Sequence, residues 1–104
     1  MELARLALAE ALATNGVIGA VEGPRGLWLT VSEGEQLGGV TAVALPDGRY
    51  EIGLHLVGRL LVPLHPLAER IRSRIERAAT EAGLADALGP IDIAFEDTGE
   101  SAEI

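Results

Sequence analysis

Chemistry near neutral pH most often falls to histidine, and this sequence has two, His55 and His65. Glu51 stands four residues before His55, so in a strand the two share a face but sit about 13 Å apart, too far to hold one ion without further ligands. His65 precedes Pro66 at a predicted helix start, where its ring can face water. The chain has no cysteine, which removes disulfides, thiol nucleophiles and thiolate zinc sites together. Its three serines, Ser32, Ser73 and Ser101, fall in a turn, on the outer side of a predicted helix and near the C-terminal end. None lies in a G-x-S-x-G elbow, and there is no lysine for a Ser-Lys pair or a Schiff base. The thirteen glycines spell neither a P-loop nor a dinucleotide fingerprint. Gly23-Pro24-Arg25-Gly26 matches the G-x-x-G of a KH loop, but that loop joins two helices, whereas these residues join two strand-like runs and read as a turn. The expectation is no catalytic residue, no cofactor-binding residue and no metal ligand.

The elements that would position these residues are legible from periodicity. Glu2 to Thr14 consists almost entirely of strong helix formers, and Asn15-Gly16 supplies the left-handed residue that ends a helix. On a helical wheel Ala4, Leu8, Ala11 and Leu12 form the predicted core arc, while Leu6, Ala9 and Ala13 lie among Glu2, Arg5 and Glu10. Strand-like runs follow at Val17 to Val21, Leu27 to Val31, Val40 to Leu45 and Tyr50 to Val57. Pro46-Asp47-Gly48 predicts a tight turn joining the last two as an antiparallel hairpin. In the fourth run Ile52, Leu54 and Leu56 point to one side, and Glu51, Gly53 and His55 to the other. In the second, Leu27, Leu29 and Val31 form the predicted core face. Pro66 to Ala82 reads as a second helix, with Leu67, Ile71, Ile75, Ala78, Ala79 and Ala82 inward and Gly83 at its end. Asp86 to Pro90 is turn-like, and Ile91 to Phe95 is a last strand. The stretch Ser32 to Gly39 is read as a connection. The order predicts an α+β fold, a mostly antiparallel sheet of four to five strands covered by two helices. It forms one domain over 1–97, with an acidic, mobile tail at 98–104.

Sixteen acids against eight bases give a net charge of −8. That balance opposes the counterion release behind nucleic-acid affinity and the attraction to anionic lipid. No apolar run approaches the ~20 residues of a membrane span, and Glu2 stands where a signal peptide needs a basic residue. A soluble intracellular protein is expected. Three groups remain as candidate contact surfaces. The first is Leu6 with the small residues Ala9 and Ala13. The second is Trp28, on the sheet face opposite Leu27 and Leu29. The third is Arg70, Arg74 and Arg77, on one stripe of the second helix, which can either receive an acidic partner or form a solvated face with Glu81.

The combination Asn15-Gly16-Val17 after an Ala-rich helix, Gly39-Val40, His65-Pro66-Leu67-Ala68-Glu69-Arg70-Ile71, Gly83-Leu84 and Ile91-Asp92-Ile93-Ala94-Phe95-Glu96-Asp97 resembles, in that order, the bacterial alkaline-shock family. The members of that family are general-stress, envelope stress response proteins. The resemblance runs from about Leu3 to Asp97 and makes the chain similar to a divergent, short member. Leu61 and Val62 stand where many members have an aromatic-Gly pair, and about two extra residues lie around Leu88-Gly89-Pro90. The resemblance implies a small non-enzymatic protein that self-associates as a homo-oligomer. It also implies location at the cytoplasmic face of the membrane through protein partners, including a membrane-anchored one, with no cofactor and no direct membrane insertion. A different class of function, a small-ligand-binding or enzymatic domain without a recognisable motif, is the alternative.

Overall fold

The computed structural model of the chain describes residues 1–99. In order these form helix α1 (Glu2–Ala13), strands β1 (Val17–Ala20), β2 (Leu29–Ser32), β3 (Glu35–Gly38), β4 (Val40–Ala44) and β5 (Tyr50–Arg59), helix α2 (Leu64–Glu81) and strand β6 (Leu88–Gly99). Two single 3₁₀ turns, Pro24–Gly26 and Ala85–Ala87, serve as connections. This is an α+β fold in the order helix, strands, helix, strand. The long strand β5 is its axis. Along one side β5 pairs antiparallel first with β4, through Val40↔Leu54 to Ala44↔Tyr50, and then with β1, through Ala20↔Leu56 to Val17↔Gly58. Along the other side it pairs in parallel with β6, the strand returned to it by α2. The β4–β5 hairpin turns at Pro46-Asp47-Gly48, with Gly48 at φ 90° and the Asp47 carboxylate accepting from the backbone N–H and the guanidinium of Arg49. Both contacts hold the Asp47 carboxyl below its ordinary pKa, the backbone N–H most strongly.

β2 and β3 form a separate two-stranded hairpin where the sequence reading has only a connection between Ser32 and Gly39. Its two turn residues, Glu33 (φ 53°) and Gly34 (φ 78°), both lie in the left-handed region that a two-residue hairpin of right-handed twist demands. A non-glycine residue at the first of those positions hides the turn from a search for Asn-Gly or Asp-Gly. The hairpin sits where β1 gives way to β4, buries Leu37, and ties Arg5 to Glu35 at 2.7 Å. Leu27 and Val31, predicted to face the core, are exposed, because β2 packs beside β4 through Thr30 and not beneath the helices; the Thr30 hydroxyl donates to Val40 O.

Both helices cover one face of the sheet, and the core lies between. From β5 it takes Ile52, Leu54 and Leu56, from α2 Leu67, Ile71, Ile75 and Ala79, and from α1 Leu3, Ala4, Ala7 and Ala11. The buried arc of α1 is therefore centred on its alanines, and the predicted arc of Ala4, Leu8, Ala11 and Leu12 is rotated from it. Leu12 is 46% exposed and Leu8 only partly covered. Alanines let α1 lie close against α2 and the sheet, and the larger leucines then fit at the margins. Leu6, predicted to lie among the charged residues, packs partly against the core, whereas Ala9 and Ala13 are exposed. In α2, Ala82 is likewise exposed, and the helix begins at Leu64, two residues before its predicted start. It ends in a Schellman arrangement: Gly83 (φ 75°) donates to Thr80 O and Leu84 donates to Ala79 O. β6 is longer than Ile91 to Phe95 at both ends, so Thr98 and Gly99, assigned to the tail, are strand residues. Gly99 O accepts from Leu60 N–H. Residues 100–104, the rest of that tail, lie outside the described residues. Among the described residues no helix is long and apolar enough to cross a membrane.

Candidate functional site

With both helices on one side, the opposite face of the sheet has no layer over it among the described residues. Alternation along β5 sends Glu51, Gly53, His55 and Val57 to this face. Register adds Thr41 and Val43 from β4 and Asp92 and Ala94 from β6. At its centre His55 is held from two sides. The register of β6 against β5 shifts between Leu56↔Phe95 and Val57↔Asp97, which leaves Glu96 as the extra residue of a bulge. A bulge re-aims a side chain, and here the Glu96 carboxylate Oε2 lies 2.9 Å from His55 Nδ1. Over the imidazole lies Trp28, its ring 4.1 Å away centroid to centroid and 4° from parallel. Trp28 comes from the segment between β1 and β2, pinned by its N–H to Glu22 O at 2.7 Å and by its carbonyl, which accepts from Gly39 N–H at 2.6 Å. Gly23 (φ 77°) makes room for the indole: a Cβ there would lie 2.5 Å from Trp28 Cε3.

A carboxylate on Nδ1 fixes an imidazole's tautomer and leaves Nε2 as the working atom. His55 Nε2 makes no hydrogen bond among the described residues, and it faces the gap left by Gly53. A Cβ on Gly53 would stand 3.8 Å from Nε2 and 2.6 Å from Thr41 Oγ1. With Nδ1–H on Glu96, Nε2 can accept one hydrogen bond from a group resting on the sheet, next to a flat aromatic wall. No group of three His, Asp or Glu side chains suited to a metal ion occurs among the described residues. Glu51, the carboxylate that spacing suggests for His55, is not its partner; Glu96 is. That pairing was within reach of the sequence, because aligning Ile52, Leu54 and Leu56 with Ile91, Ile93 and Phe95 as parallel neighbours brings Glu96 to the His55 side. His65 is exposed at the start of α2, and Gly23-Pro24-Arg25-Gly26 is a single 3₁₀ turn between β1 and β2.

A second feature lies on the opposite side of the molecule, where the end of α1 meets the outer face of α2. A cleft of about 470 Å³ is lined by Thr14, Asn15, Glu69, Arg70, Ser73, Arg74 and Arg77. The structure thus brings the predicted arginine stripe together around a concavity. Arg74 reaches Glu10 at 3.2 Å across the two helices, and Arg70 reaches Asn15 O at 3.5 Å. Neither Arg70 nor Arg77 has a carboxylate partner among the described residues. Glu69 is turned to Arg72, 2.6 Å away, and Arg72 Nε also donates to Ile91 O on β6. Of the other predicted contact residues, Trp28 is half-buried against His55, and Leu6, Ala9 and Ala13 do not form a single exposed stripe. Comparison of the chain with protein-family models, with curated proteins and with solved structures finds no match.

Proposed function

We propose that this chain is a non-enzymatic, self-associating protein that acts through protein-protein contacts. We place it in the envelope stress response, at the cytoplasmic face of the membrane by way of partner proteins. The observation that supports self-association is the sheet face left without a second layer. It carries Val43, 55% exposed, together with Val57, Gly53 and the Trp28–His55 stack. An open, partly apolar sheet face of this kind is the surface that a second copy covers in many two-layer proteins. Among the described residues no strand pairs with the long edge of β6 away from β5. The stress-response role rests on the family resemblance of the sequence. Light scattering across a range of protein concentrations, run beside a ligand-library thermal-shift screen, tests the reading. Mass that rises with concentration in the absence of ligand supports it. A monomer at every concentration, stabilised by one class of metabolite, overturns it.

One observation favours the second reading, a small-ligand-binding domain: the His55–Glu96 pair with Nε2 open over Gly53. Under that reading His55→Gln abolishes the stabilisation by the metabolite class found in the screen. Under the first it leaves the screen blank.

A further inference from the structure

We infer that the arginine cleft between α1 and α2 receives the acidic segment Glu100 to Ile104 of a second copy of this chain. The inference rests on the self-association proposed above and adds to it a charge-dependent contact at a different surface. The chain carries a net charge of −8, yet this cleft gathers three of its eight arginines, Arg70, Arg74 and Arg77, around about 470 Å³. Only Arg74 is neutralised, by Glu10; Arg70 and Arg77 are exposed and free of carboxylates among the described residues. Those two stand seven positions apart in the helix, about 10 Å along its axis. Glu100 and Glu103 are three residues apart in the sequence, which in extended chain is also about 10 Å. A guanidinium accepts a carboxylate in a forked, two-bond geometry, and Ser73 between the two arginines offers its hydroxyl to the backbone of a chain lying in the cleft. Within one molecule the segment leaves β6 at Gly99, which pairs with Arg59, and Arg59 N–H donates to Gly16 O at the other edge of β5, so a contact within one molecule is the competing outcome that the mixing experiment separates. A contact made between copies joins a cleft to a different surface and is therefore head-to-tail.

The test uses a labelled peptide spanning Thr98 to Ile104 titrated into the full chain and followed by fluorescence anisotropy. Binding is expected to weaken about five-fold or more in Arg70→Gln/Arg77→Gln, and by a similar factor when the peptide carries Gln for Glu100 and Glu103. It should also weaken as salt screens the pairs. Equal binding to wild type and the double variant, or no binding to either, overturns the inference. Mixing full-length Arg70→Glu/Arg77→Glu with full-length Glu100→Arg/Glu103→Arg decides between copies: a mean mass above that of either variant alone supports a contact between molecules. No gain on mixing shows a contact within one molecule or none, and overturns it. If the peptide fails while wild-type mass still rises with concentration, self-association stands and the cleft is not its site. If mass is also constant, both fall.

Discussion

Trp28, His55 and Glu96 are the residues whose positions depend most on one another. Gly23 keeps a positive φ and leaves no room for a Cβ under the indole, so Gly23→Ala should combine left-handed strain with overpacking and cost about 2 kcal/mol or more. Chemical denaturation followed at Trp28 checks this, since the same probe reports whether the indole has left His55. His55→Ala keeps the backbone ladder of β5 but removes the stacked partner, a loss of about 1 kcal/mol beyond the area exposed, and should red-shift Trp28 emission. At the hairpin turn the sign of the pH effect follows from Asp47. Its carboxyl is held below the ordinary carboxylate range by the N–H and guanidinium of Arg49, so it stabilises the folded chain above its unfolded pKa. That contribution is lost as pH falls through the lower, folded value. The stability difference between wild type and Asp47→Asn should therefore be present at neutral pH and close in acid, as urea melts at each pH will show.

Helix α1 tests how packing chooses a face. Because Leu3 is 2% exposed and Leu12 46%, Leu3→Ala should cost about 3 kcal/mol and Leu12→Glu within about 0.5 kcal/mol. A wheel weighted by side-chain size gives Leu12 a core role and predicts the reverse. The order of elements, the β4–β5 hairpin, the two faces of β5 and the stripe of α2 were legible because each is written in a local period or a turn residue. The face of α1 was not, because every side of that helix carries Ala or Leu and only the close approach allowed by Ala4, Ala7 and Ala11 selects one. The β2–β3 hairpin escaped for a different reason: Glu33 occupies a left-handed position without the residue type that announces it. The Glu96 partner of His55, 41 residues away in sequence, becomes legible only once the apolar positions of β5 and β6 are aligned as parallel neighbours, and the bulge that aims its carboxylate leaves no local mark. The arginine stripe was legible as a stripe, but the concavity around it needs Thr14 and Asn15 from the other helix.

As a whole the molecule is a sheet with helices on one side only. Its buried side accounts for folding, and the proposed contacts fall on its other side and on the arginine cleft. Association through the bare side places Val43 at the contact while leaving Trp28 on His55 as part of the wall. Val43 stands opposite Glu51 in the β4–β5 ladder, so Val43→Lys exchanges an exposed apolar group for a charge that Glu51 can accept across the strands, and the fold should persist. Sedimentation equilibrium of wild type and Val43→Lys over the same concentration range measures association through this face directly. The wild-type mass is expected above that of one chain, rising with concentration, and the Val43→Lys mass is expected to stay lower at every concentration with an unchanged circular dichroism spectrum. A wild type at monomer mass throughout, or identical masses for the two proteins, would contradict association through this face.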